Sequence, residues 1–162
     1  MSDNIQINVN GEQHVLDIHP ETPLLFVLRN DLKLKSPKLG CAKEQCGACK
    51  VLVDGNAVPS CDLPIGRVAN LSITTLEGLG RADNLHPLQE TFLEEQAAQC
   101  GYCTAGFIMA SEGLLNRVRY PSREDMNRAF ADNLCRCGTY DRIRRALQLR
   151  VGRLEDPKFE II

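Results

Sequence analysis

Tryptophan is absent from this chain of 162 residues, and aromatic residues make up only 5% of it. Any core must therefore be aliphatic, and platforms on which nucleic-acid bases could stack are scarce. No apolar run is long enough to span a bilayer. The stretch from Met1 to Pro20 has no apolar h-region and no cleavage site, so no signal peptide is expected. The expected compartment is then the cytoplasm, or the periplasm if the chain is exported already folded with a partner. The three histidines, His14, His19 and His86, lie far apart. Neither a nucleophile elbow, a phosphate loop nor a dinucleotide fingerprint is present. No catalytic residue is assigned.

Cysteine, in contrast, is plentiful, with eight residues. Cys41, Cys46, Cys49 and Cys61 follow the C-x4-C-x2-C…C spacing of a plant-type [2Fe–2S] site. Cys100 and Cys103 form a C-x2-C pair, and Cys135 and Cys137 a distant C-x-C pair, which together make a second set of four. Every cysteine is used. Structural zinc also takes four thiolates, but C-x4-C-x2-C is not its usual spacing. A disulfide framework would require a secretory context that the N-terminus does not suggest. Gly40 and Gly47 flank ligands, where a missing side chain lets N–H groups approach sulfur. The formal charge is −2 with neutral thiols. Each loaded four-thiolate site would add about −2 more, which disfavours nucleic acid as a partner.

Apolar periodicity divides the chain. Ile5–Val9 and His14–Ile18 alternate with period two about an Asn10-Gly11 hairpin turn. His14 is then a surface strand residue. Thr22-Pro23 opens a helix expected to run to about Asp31, with Thr22 as its cap. Lys33–Lys38 is a solvated basic turn. Strands follow at Lys50–Val53, Val58–Cys61 and Leu71–Thr74. Glu77–Asn84, with two glycines, reads as a linker. Every later element looks helical: one from Pro87 to near Gln99, one capped by Thr104, one after the capping box at Ser122–Asp125, and one capped by Thr139. Gly106 and Gly113 in the second of these suggest close helix packing. Eight arginines against four acids between Arg123 and Arg153 read as solvated helix faces. Apolar Phe159, Ile161 and Ile162 at the end suggest a contact with a partner or with the chain's own surface. Spacing and pattern alone give a small α+β unit followed by helices.

The motifs Gly40–Cys49, Cys61, Gln99–Cys103 and Asn133–Tyr140, in this order, resemble the small iron–sulfur subunit of the xanthine oxidase family of molybdenum hydroxylases. The Cys-Gly-Thr-Tyr ending is most similar to forms such as the isoquinoline oxidoreductase, nicotinate dehydrogenase and aldehyde dehydrogenase iron–sulfur subunits. The resemblance implies an α+β fold: an N-terminal β-grasp, plant-type ferredoxin-like domain followed by an all-α four-helix [2Fe–2S]-binding domain. The boundaries expected are 1–77, a linker 78–84, a helical domain 85–150 and a tail 151–162.

By the same resemblance the cofactors are two [2Fe–2S] clusters, with metal ligands Cys41, Cys46, Cys49, Cys61, Cys100, Cys103, Cys135 and Cys137. Molybdopterin, as its cytosine dinucleotide, would sit in a large partner subunit, in contact with Gln99 and Cys137 of this chain. The implied function is electron transfer from that centre, where an aldehyde or N-heteroaromatic substrate is hydroxylated, to an external acceptor such as a cytochrome c or a flavin subunit. Two other readings stay open on the residues alone: a free-standing ferredoxin-like carrier and a zinc-binding interaction module.

Overall fold

The computed structural model describes residues 3–155. Strand β1 (Asp3–Val9) turns through Asn10 and Gly11, whose φ values of 53° and 85° are both left-handed. That conformation suits the twist of a tight hairpin, and β2 (Glu12–Ile18) returns antiparallel. Ile5, Ile7 and Val9 point inward, as their alternation requires. A short helix α1 (Leu24–Phe26) continues as a widened π-type turn through Val27–Asp31. Pro23, not Thr22, is the capping position, with extended backbone and no side-chain cap bond. Strands β3 (Lys50–Val53), β4 (Asn56–Pro59) and β5 (Ser72–Thr74) complete a sheet of order β2-β1-β5-β3-β4. Only the β1–β5 pairing is parallel. Leu24, Val27 and Leu28 pack over Ile7, Val51 and Ile73, so the helix lies across the sheet in the β-grasp manner.

The helical half comprises α3 (Pro87–Glu94), α4 (Thr104–Leu115), α5 (Arg123–Ala129) and α6 (Tyr140–Glu155). It is preceded by one helical turn, α2 (Leu76–Leu79). Phe107 is the centre of its core, edge-on to Phe130 at 5.3 Å and to Tyr140 at 6.0 Å. Several sequence expectations need correction. Helix α3 stops at Glu94 rather than near Gln99, because Gln96 turns left-handed at φ 48°. His86 caps it in a reciprocal box with Gln89. Cys103, not Thr104, occupies the capping position of α4. Helix α6 continues to Glu155, and Phe159, Ile161 and Ile162 lie outside the described residues. The arginine-rich stretch is partly paired within the chain: Arg145 meets Glu95 at 2.8 Å and Arg153 meets Glu94 at 2.6 Å.

Gly106 and Gly113 do mark close packing, but the neighbour is the sheet and its cysteine turn rather than another helix. A Cβ on Gly106 would collide with the Gly47 carbonyl oxygen, and one on Gly113 would lie 2.7 Å from the Ala57 nitrogen. Seven residues apart, both glycines face the same side of α4. The helix is therefore buried on two sides, which explains why its sequence is apolar almost throughout.

The segment read as a linker also contains a structural contact. Glu77 accepts the N–H groups of Lys35 and Ser36 at 2.9 and 2.8 Å, the Ser36 hydroxyl, and the Thr75 hydroxyl at 2.7 Å. Burial alone would raise its pKa, yet the Ser36 and Thr75 donors outweigh it and hold the carboxyl below its ordinary 4.5. Its contribution is thus complete above pH 4.5 and is lost as pH falls through the lower folded-state value. Glu77→Gln should cost about 2 kcal/mol near neutral pH. Urea unfolding should show the gap between wild type and variant closing below pH 4.5.

Candidate iron–sulfur sites

The loop between α1 and β3 alternates left-handed residues, Ala42 at φ 54°, Glu44 at 58° and Gly47 at 68°. Such alternation turns successive N–H groups to one side and makes an anion-binding concavity. Lys43 and Gln45 donate to Cys41 Sγ at 3.3 and 3.2 Å, and Cys41 N–H donates to Cys46 Sγ at 3.3 Å. Cys61 returns just after β4 and is buried with Cys49 and Leu25. Ser60 fastens that return by donating to the Cys49 carbonyl at 2.7 Å. Burial opposes ionisation of Cys41, but the N–H donors prevail and bring its thiol down to about 7. Burial, with Cys49 beside it, pushes Cys61 up to about 11.

The second set forms where helix ends converge. Cys100 is exposed in the turn after α3, Cys103 sits at the head of α4, and Cys135 and Cys137 lie between α5 and α6. Cys135 Sγ is 3.2 Å from Thr139 Oγ1, and its N–H donates to the Tyr140 phenol oxygen at 2.8 Å. Burial resists ionisation of Cys135, yet the Thr139 donors bring it to about 7. Cys103 is pushed up to about 12 by burial and by Cys135. The N–H of Tyr102 lowers Cys100.

All eight cysteines are free, four at each site, which is the donor set that two irons, each taking two thiolates, require. The donor sets fit a binuclear iron–sulfur group. Gln99 is exposed beside Cys100, and Cys137 is half-buried.

The two sites touch. Leu134 N–H donates to the Cys46 carbonyl at 3.0 Å, and the next residue is Cys135. Tyr102, between Cys100 and Cys103, donates its hydroxyl to the Leu39 carbonyl at 2.6 Å. Gly47 packs on Asn133, where a Cβ would come within 2.5 Å of Nδ2. A Cβ on Gly40 would lie 2.5 Å from Cys46 Sγ, so its missing side chain leaves room for that sulfur. At Gly47 the requirement is different: left-handed backbone and contact with the helical half. The N–H donors to sulfur come from Cys41, Lys43 and Gln45 rather than from the glycines.

Two family models divide the chain in the same way. The 2Fe-2S iron-sulfur cluster binding domain matches residues 7–72, and the [2Fe-2S] binding domain matches residues 75–148. One of the subunits of the nicotinate dehydrogenase of Pseudomonas putida is 49% identical over 148 residues, covering 91% of this chain and 94% of that one. The chain belongs to the iron–sulfur subunits of the molybdenum hydroxylase family. The alpha chain of the isoquinoline 1-oxidoreductase of Brevundimonas diminuta is 44% identical, over 88% of this chain and 94% of that one. The solved aldehyde oxidoreductase of Desulfovibrio gigas superposes with a TM-score of 0.90 at 42% identity, over 95% of this chain. This chain spans only 18% of that larger protein, in which the corresponding region is one part of a longer polypeptide.

Thr139, Tyr140 and Asn133 lie inside a motif that the sequence reveals, but their contacts are not legible there. Thr139 stands directly before α6 as expected, its carbonyl accepting from Ile143 N–H at 3.0 Å, and its hydroxyl lies 3.2 Å from Cys135 Sγ. If the two sets are binuclear sites, anaerobically purified protein should hold about four irons and four acid-labile sulfides per chain, two of each per site. Iron, sulfide and zinc analysis would check this, and two zinc ions in a colourless protein would contradict it.

Proposed function

We propose that this protein carries electrons from a molybdopterin centre in a large partner subunit to an external acceptor, through two [2Fe–2S] clusters. Cys41, Cys46, Cys49 and Cys61 would hold the first, and Cys100, Cys103, Cys135 and Cys137 the second. The observation that carries this reading is the direct connection between the two sites, Leu134 N–H to the Cys46 carbonyl, with Cys135 covalently next. When bound, each cluster supplies a one-electron couple.

The chain's own groups suit that task. N–H donors on Cys41 and Cys46 stabilise negative charge on sulfur, and so does Thr139 at Cys135. Burial of Cys49, Cys61 and Cys135 keeps water from those sulfurs. Exposed Gln99 would meet the pterin cofactor together with Cys137, with the second site then on the molybdenum side. The relatives act, by name, on nicotinate, isoquinoline and aldehydes, which favours an aldehyde or an N-heteroaromatic compound as the substrate class. A cytochrome c or a flavin subunit would serve as acceptor.

The order can be tested by comparing Cys46→Ser and Cys103→Ser holoenzymes by rapid-freeze EPR. Cys46→Ser should keep fast substrate reduction of the second site and lose turnover with the acceptor. Cys103→Ser should lose both. The reverse pattern would invert the assigned order.

A further inference from the structure

Lys50 is a buried charge that the proposed electron transfer does not by itself explain. It follows Cys49, opens β3 and is 7% exposed. Its Nζ donates to Asn133 Oδ1 at 2.6 Å and to the Ala129 carbonyl at 3.4 Å. The Asp132 carboxylate also faces it, but Asp132 is exposed and therefore screened by water. Both close acceptors are neutral amide oxygens. Burying an ammonium without a close counter-charge is costly, so a lysine here calls for an anion nearby.

Asn133 supplies an independent observation. It is 3% exposed, and Lys50 fixes its Oδ1, which turns Nδ2 to the other side, against Gly47. Nδ2 has no acceptor among the described residues. A buried N–H left without an acceptor normally costs about 1–3 kcal/mol. Here it is aimed at the segment between Cys46 and Cys49, where the sulfur of a bound iron–sulfur group is the class of acceptor it lacks.

We infer that Lys50 and Asn133 form a redox-tuning pair that raises the reduction potential of the first site above the value its cysteines alone would set. The inference rests on the cluster reading proposed above. A four-thiolate [2Fe–2S] site carries a net charge of about −2 when oxidised and gains one more negative charge on reduction. A fixed positive charge in a low-dielectric interior favours the more negative form. In the step itself one electron enters the site, supplied by the enzyme's substrate or a chemical reductant. No proton moves, and Lys50 stays an ammonium throughout. The consequence is directional, because a raised first site draws electrons from the second.

Redox titration of the holoenzyme, followed by EPR, tests the inference on wild type, Lys50→Gln and Lys50→Arg. Glutamine keeps a donor for Asn133 and removes the charge; arginine keeps the charge. In Lys50→Gln the equilibrium constant for reducing the first site should fall about tenfold, ~59 mV for one electron. The second site should move less than about threefold, and Lys50→Arg should restore the first. A staple that merely joins the two halves would change stability and leave both couples in place. Unchanged couples in Lys50→Gln at full iron content would overturn the inference, as would a larger fall at the second site. If Lys50→Gln loses iron, Asn133→Asp sets a carboxylate against the ammonium and must lower the same couple; no shift there overturns it equally. Wild type without iron would overturn the cluster reading, and this inference with it.

Discussion

The structure depends on one close approach, the contact of α4 with the turn at Cys46 and Gly47. Gly106 comes so near the Gly47 carbonyl that no side chain fits between them. On its other side the same turn takes the Leu134 N–H on the Cys46 carbonyl and packs Gly47 against Asn133. One turn of the first site is therefore held between the helix that starts at Cys103 and the loop that carries Cys135. Interiors this tightly packed transmit strain rather than absorb it. The spacing of the two sites is consequently a property of the fold.

That rigidity has an electrostatic use. Burial opposes the ionisation of Cys41 and Cys61 in one site and of Cys103 and Cys135 in the other, and each site offsets this with donors aimed at selected sulfurs. Lys43 and Gln45 serve Cys41, while Thr139 serves Cys135. Cys61 and Cys103, without comparable help, remain high. Binding metal must remove protons from such thiols, so assembly and proton release are coupled. Lys50 adds a charge at the same boundary, next to Cys49 and bound to Asn133.

Much of this is legible in the residues. Ligand spacing is a local property, so the eight cysteines sort into two sets without any structure. Alternation marks β1, and left-handed turn chemistry marks Asn10-Gly11, because both act over a few residues. Helix ends are less legible: the apolar pattern overruns the end of α3, whose break depends on the backbone of Gln96 rather than on a glycine or proline. Long-range partners are not legible at all. Nothing near Glu77 in sequence announces Ser36, and nothing near Lys50 announces Asn133, since each pair is joined only by folding. The glycines of α4 signal a close neighbour but do not say that it is the sheet.

The central claim is that the two sites form one rigid electron-carrying unit, joined through Cys46 and Leu134. Reducing both sites fully places an unpaired spin on each, and spins held this close interact. EPR of the dithionite-reduced holoenzyme, frozen and compared at two microwave frequencies, should show line splittings that do not scale with the field, together with faster relaxation of both signals. A spectrum that is the simple sum of two independent signals would contradict the account.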